Sequence, residues 1–318
     1  MDLFTHAFIP YIIARIAGRS ERDSRIFGFG GTVPDFDSLF MWIPFLIPQA
    51  YAFTHRGITH SFFFALPFSA ILLYFFSRGE VKRFMARFVT LDIDFSARSL
   101  LIVYAGSLSH IFLDWLTTGG LPLFYPFSET RYAAHIFFYV DMILMVFSAL
   151  AVIAFLTKRL SARQRHVVLY ALLFLSLALG ATRLSLKASM TDKNMSTYPT
   201  VNISEWMVVQ KGKDAFTVFQ YNPITKEGGM SHLFPYTDKA KVQDLLDKAN
   251  TIPTVRQFEF HASDAEVFAQ RVDSAWTLSF FDPTQKAFMR NAPSYIRHHF
   301  TEIVVKIYDD GTIELIDG

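Results

Sequence analysis

Ten histidines are spread over the 318 residues, and four of them stand beside acidic residues within apolar sequence. His110 and Asp114 are four residues apart, so a helix would place both on one face about one turn apart. His55 and His60 flank Gly57 at the head of another apolar run. Asp35 and Asp37 follow Pro34, and His6 opens the first short apolar stretch. Imidazole and carboxylate donors suit hard or borderline divalent cations such as Zn²⁺, Mn²⁺ or Mg²⁺. Seven donors exceed one tetrahedral site. They would serve two ions that share a carboxylate and keep open positions for water and substrate. Each piece also has an ordinary reading. His110 and Asp114 could be a hydrogen-bonded packing pair, Asp35 and Asp37 a helix cap, and His55 and His60 residues facing lipid headgroups. Independent causes of that kind would not bring all seven to one depth.

The elements that must position these residues are greasy. The chain is 52% hydrophobic and 18% charged, and 35 residues are Phe. Soluble chains average about 25% charged, so this composition excludes disorder and argues against a wholly soluble protein. The average hides a split: residues 1–188 carry net charge +6 and residues 189–318 net −4. Two domains follow, a membrane-embedded one over 1–188 and a soluble one over 189–318. With no cysteine, thiolate metal sites, disulfides and Cys nucleophiles are excluded. The opening residues lack the basic stretch of a secretory leader, so the mature chain is expected to begin here.

A spanning helix needs about 20 apolar residues. Residues 57–77, 100–118, 135–156 and 167–182 approach that length. The predicted fold class is therefore mainly α, a polytopic membrane domain of about four full spans. Shorter stretches at 5–17, 26–33 and 39–53 read as half-membrane or interfacial pieces. Basic residues gather in 78–98, in 157–166 and in the turn holding Arg15, Arg19, Arg22 and Arg25. The positive-inside tendency puts those loops in the cytoplasm and residues 189–318 outside the cell membrane. His and Asp in such helices are costly, roughly 2.5–3.5 kcal/mol for an Asp at a helix centre on insertion scales. Their recurrence calls for a function.

The wording around the donors is more specific than their spacing. His55-Arg56-Gly57-Ile58-Thr59-His60-Ser61 resembles the HRGxTHS signature of the YdjM-like membrane-bound metal-dependent hydrolase family. Asp2-Leu3-Phe4-Thr5-His6, Val33-Pro34-Asp35-Phe36-Asp37, the stretch from Ser109 to Thr118 and Pro126-Phe127-Ser128 resemble further motifs of that family, in order. The resemblance covers about residues 1–145. It implies a helical membrane domain with metal-dependent hydrolase activity and no established substrate. By motif position it implies His6, Asp35, Asp37, His55, His60, His110 and Asp114 as metal ligands. Arg56 is a candidate to pair with a phosphate, or else faces headgroups. Ser128 is a candidate nucleophile, but with metal-bound water as the expected attacker it is expected to cap the turn after Pro126. Asp141 matches an acidic position of the family and is a candidate supporting residue, or a hydrogen-bond partner of Ser107 or Thr118.

Residues 200–318 read as a small α+β or β-rich domain. Strands are expected at 206–210, 215–220, 255–260, 276–281 and 302–307, with a closing hairpin at 309–316. Helices are expected at 238–248 and 264–271. Its histidines, His232, His261, His298 and His299, are scattered, so a lid, recognition surface or partner contact is expected in place of catalysis. The combined expectation is a membrane hydrolase using metal-activated water on a phosphoester of a lipid or lipid-linked substrate at the outer membrane face. No nucleic-acid partner is expected. A transporter using the same His/Asp cluster and a scaffold with a structural metal are the alternatives. A zinc protease is disfavoured because His-Glu-x-x-His is absent.

Overall fold

The computed structural model describes residues 2–87, 91–156, 160–190, 192, 194–235, 237–262, 265–282 and 302–317. The N-terminal part is built from α1 (Leu3–Ile16), α2 (Glu21–Gly30), α3 (Trp42–Leu46), α4 (Phe62–Ser77), α5 (Gly79–Met85), α6 (Ala97–Trp115), α7 (Met142–Leu156) and α8 (Ala162–Met190). Short 3-10 helices at Pro34–Phe40, Pro48–Phe53 and Ile58–His60 link α2 to α4 around α3. Side-chain caps start six of these helices, α7 and α8 through Asp141 and Ser161. Asp2, Ser20, Ser61 and Ser96 each accept from the backbone N–H three residues on, satisfying a donor that the helix leaves unpaired.

The α2–α6 contact depends on two glycines. A Cβ on Gly30 would lie 2.3 Å from Val103 O, and one on Gly106 2.4 Å from Phe27 O. Only hydrogen at both positions lets the two backbones approach this closely. Ile26, Val33, Leu73, Ile93 and Val103 close the core beside that contact. Packing of α1 on α7 and α8 buries Phe8, Ile12, Ala151, Leu169 and Leu172.

The expectation of about four full spans does not hold. Among the described residues one helix, Arg163–Met190, is long and apolar enough to cross a membrane. A second span exists only if Pro48–His60 and Phe62–Ser77, bent by 88°, count as one. The physical reasons are local. Residues 57–77 are broken where Ser61 leaves helical geometry to cap α4. Residues 100–118 end as helix at Trp115, and the following residues turn back to pair with Ala134, Ile136 and Phe137. Those same bonds hold 134–137 extended, so the apolar run 135–156 becomes helical only from Met142. Conversely, the run 167–182 belongs to a longer helix, because Arg183 and Lys187 continue it.

The C-terminal part holds two four-stranded antiparallel sheets. One is β1 (Met195–Pro199), β2 (Trp206–Lys211), β3 (Ala215–Asn222) and β4 (Glu227–Pro235). The other is β5 (Glu266–Val272), β6 (Ala275–Phe281), β7 (Glu302–Tyr308) and β8 (Ile313–Asp317), each in sequential order. α9 (Gln243–Ala249) and α10 (Pro253–His261) pack on the second sheet, with Leu246, Val255 and Phe258 against Leu278, Phe280, Val305 and Ile307. Phe281 stacks on Phe216 and Phe234 and joins the two sheets.

The expected strands at 206–210, 215–220, 276–281 and 302–307 and the closing hairpin form. Two readings exchange places. The expected strand at 255–260 is α10, started by Pro253 and burying Val255 and Phe258 three residues apart. The expected helix at 264–271 is largely β5, paired along its length with β6. β1 and β4 were not expected. His298 and His299 lie outside the described residues.

Candidate metal centre

The seven predicted donors arrive from four places. His6 comes from α1, Asp35 and Asp37 from the turn after α2, His55 and His60 from the loop before α4, and His110 and Asp114 from one face of α6. The structure brings them together in three overlapping groups: His6, His110 and Asp114; Asp35, His60 and His110; Asp37, His55 and His60.

Hydrogen-bond bookkeeping fixes where the imidazole lone pairs point. His110 Nδ1 lies 2.7 Å from Gly31 O. A carbonyl only accepts, so Nδ1 carries the hydrogen and Nε2 of the neutral ring is a bare acceptor. Thr59 donates its hydroxyl to Asp37 Oδ2 at 2.7 Å. His60 Nδ1 therefore faces two acceptors, Thr59 Oγ1 at 3.0 Å and Asp37 Oδ2 at 3.3 Å, and it too is the protonated nitrogen. The two remaining nitrogens, Nε2 of His60 and Nε2 of His110, lie 3.1 Å apart with both residues fully buried. Two lone pairs at that distance repel unless a proton or a cation sits with them.

The surrounding oxygens favour a cation. Asp35 Oδ1 is 3.4 Å from His110 Nε2 and 3.8 Å from His60 Nε2. Asp114 Oδ2 is 3.6 and 3.7 Å from the same nitrogens. A tetrahedral ion with bonds of about 2.0–2.1 Å has ligands about 3.3–3.4 Å apart, so these separations fit one ion. The outer bonds, from His110 to a carbonyl and from His60 to a carboxylate and hydroxyl, are those that orient metal-binding histidines. His6 donates from Nε2 to Asp114 Oδ1 at 3.1 Å and stacks on His110 with ring centroids 3.6 Å apart. Its Nδ1 is buried with no hydrogen-bond partner among the described residues.

Asp37 has a different task. It accepts from His55 Nδ1 at 2.9 Å, Thr59 Oγ1 at 2.7 Å and the Arg56 N–H at 3.3 Å. Burial alone would raise its carboxyl, but the bonds from His55 and His60 hold it well below the usual carboxylate range. Burial acts the same way on Asp35, where the neighbouring His110, His6 and His60 prevail and lower it. His55 and Asp35 are the two donors with appreciable exposure, 28% and 18% of the side chain. They form the open side of an otherwise buried cluster.

Arg56 is buried, and its guanidinium is committed to protein. Nη2 donates to Asp114 Oδ1 at 2.8 Å, Nη1 to Thr117 Oγ1 at 3.1 Å and Thr118 O at 2.8 Å, and the group lies 3.8 Å from the Tyr139 ring centroid. Its backbone sits at φ 60, a region that non-glycine residues rarely adopt. Asp141 stands apart from the three donor groups. It accepts from the N–H groups of Ile143 and Leu144 at the start of α7, and it pairs with the buried Arg183 of α8 at 2.8 Å. Neither Ser107 nor Thr118 bonds to it. Ser128 Oγ accepts from Thr130 N within its turn.

The profile of the YdjM inner membrane protein family matches residues 1–188. The chain belongs to that family. Comparison with curated proteins and with solved structures gives no match. The YdjM match covers α1 to α7, all but the last two residues of α8 and all seven donors, and it ends before β1.

Sequence reasoning missed several residues of this YdjM centre. Thr59 and Gly31 O set the tautomers of His60 and His110. Thr117 and Tyr139 hold Arg56. Thr59 stood in the HRGxTHS stretch and was legible there as a hydroxyl beside a ligand. Gly31 O and Tyr139 carry no signal of their own in the sequence.

Proposed function

We propose that this YdjM family member is a metal-dependent hydrolase that cleaves a phosphoester of a lipid or lipid-linked substrate at the membrane surface. The observation that carries the reading is the pair of buried Nε2 atoms of His60 and His110, 3.1 Å apart, with their outer nitrogens already bonded. Asp35 and Asp114 add carboxylate oxygens 3.4–3.8 Å from those nitrogens, and His55 stands at the open side. Two imidazoles and two carboxylates without thiolates suit Zn²⁺ or Mn²⁺. Such an ion, when bound, supplies Lewis acidity and lowers the pKa of water toward ~7.

The chain's own residues do the rest. Asp37 orients His55 and His60. Arg56 and His6 hold Asp114 Oδ1, which turns Oδ2 toward His60 and His110. His55 gives one hydrogen to Asp37 from Nδ1, so Nε2 of the neutral ring can take up a proton on the open side. That opening favours turnover over a closed structural site.

A lipid substrate is supported by what lies between the donor pairs. The segment joining Asp35 and Asp37 to His55 and His60 has no charged residue from Ser38 to Thr54. Leu39, Trp42, Leu46 and Ile47 on it are each more than half exposed. Water-facing surface of that kind is rare in soluble monomers, whereas a bilayer interface would receive it.

Metal analysis of the purified full chain tests the reading, with His60→Ala and Asp114→Ala alongside. We expect bound Zn or Mn in the wild type, its loss in both variants, and phosphoester hydrolysis that follows metal content. A wild type without metal at the level of the variants overturns it.

A further inference from the structure

The YdjM match ends at residue 188, yet the domain beyond it touches the centre. The geometry points to Arg131 as a positioning residue through which α10 of the C-terminal domain holds the metal centre in shape. This rests on the metal reading above.

Arg131 is held by backbone carbonyls from three parts of the chain. Nε donates to Gly119 O at 3.2 Å, Nη2 to Gly120 O at 2.8 Å and Arg56 O at 3.2 Å, and Nη1 to Phe260 O at 3.0 Å. The first two carbonyls belong to glycines with positive φ that directly follow Thr117 and Thr118. Those threonines bind the Arg56 guanidinium, and Arg56 in turn binds Asp114. The third carbonyl is that of Arg56 itself. Arg131 thus fixes both ends of the grip on Asp114, the loop and the backbone.

The fourth carbonyl comes from the last turn of α10. Helix-end carbonyls have no partner within the helix and carry its partial negative charge, so a cation at Phe260 O satisfies both. The next residue makes a second contact. His261 Nδ1 donates to Gln257 O at 2.6 Å, and its Nε2 meets Thr54 Oγ1, beside His55. The Phe260 ring packs on Tyr51 and Tyr125. α10 therefore braces the HRG stretch from two sides, at Thr54 and at Arg56. A planar fork with several donors is needed for this arrangement, and an ammonium cannot reproduce it.

The test is a Co²⁺ titration of the full chain in detergent, read by competition with a chelating dye and by the visible cobalt band. Arg131→Lys keeps the charge and loses the fork. It is expected to weaken Co²⁺ binding about 10–100-fold, as loss of a group that orients metal ligands does, and to change the band. His261→Gln is expected to move both readouts in the same direction. Asp309→Asn breaks the surface pair with Arg271 in the same domain and should leave both unchanged. Wild-type affinity and an unchanged band in Arg131→Lys and His261→Gln would overturn the inference while leaving the metal reading intact. A wild type that binds no Co²⁺ would overturn the metal reading, and this inference with it.

Discussion

At the scale of single residues, the centre separates groups that offer lone pairs from groups that aim them. Asp37 shows the second role, since three hydrogen bonds converge on its carboxylate. Asp37→Asn replaces one acceptor oxygen by a donor and removes the charge. We expect metal affinity to fall about 10–100-fold with the helical circular dichroism unchanged; unchanged affinity would mean that Asp37 does not orient His55 and His60. His261 makes a separate prediction about pH. Burial, then the nearby Arg131, lowers its pKa to about 4, with His55 also disfavouring the charge and the bond to Gln257 opposing. The unfolded value is about 6.5, so the unfolded chain binds more protons between the two. Stability from neutral His261 is present above pH 6.5 and drains away as pH falls toward 4. The loss is on the order of 2 kcal/mol. Urea melts followed by Trp206 and Trp276 fluorescence at pH 7 and pH 4.5 should show a larger drop for wild type than for His261→Gln. The donors were legible in the sequence because polar residues are scarce there. The grip on Asp114 was not, because Arg56 reaches it across 58 residues of chain and a spacing rule sees only near neighbours.

At the scale of elements, ligand geometry depends on how closely α2 approaches α6. Gly31 O, the acceptor that fixes the His110 tautomer, follows the Gly30–Gly106 contact by one residue. Gly30→Ala sets a methyl 2.3 Å from Val103 O, a backbone atom that cannot swing aside. Overpacking of this sort costs about 1–3 kcal/mol. We expect a melting temperature lower by a few degrees together with weaker metal binding, measured on the same preparation. A lowered melting temperature with unaltered metal binding would separate the helix contact from the centre. The same scale explains what the sequence showed and concealed. Apolar runs marked the helices, but run length did not mark their ends. Ser61 and Asp141 start helices inside apolar sequence, and the pairing of 115–118 with 134–137 removes residues from two expected spans. In the C-terminal part, short apolar runs fit either period. Pro253 made 255–260 a helix, and pairing with β6 made 266–272 a strand. Pro253 is a local signal, two residues ahead of the run, whereas the pairing of β5 with β6 depends on a partner strand.

At the scale of the whole molecule, the family match places the chain at the inner membrane, and its charge pattern sets a direction. Among the described residues α8 is the one unbroken helix long and apolar enough to cross. Arg163 and Arg165 stand at its start, while the two sheets follow its end. From the positive-inside tendency we propose that the sheets, α10 and the open side of the centre lie outside the cytoplasm, together with any substrate drawn from the outer leaflet. Thiol labelling measures that direction. The absence of cysteine makes that measurement clean. Ile224→Cys adds a single thiol at a residue 63% exposed in the turn between β3 and β4, and Glu80→Cys adds one at the exposed start of α5 in the basic loop. Intact cells treated with a membrane-impermeant maleimide should label Ile224→Cys at once and Glu80→Cys only after lysis. The reverse order would put the centre on the cytoplasmic face, where the candidate substrates become inner-leaflet lipids. Labelling of both only after lysis would mean that α8 does not carry the C-terminal domain across. The bracing of the centre by α10 would survive that result, because α10 and the HRG stretch must share a side wherever that side is.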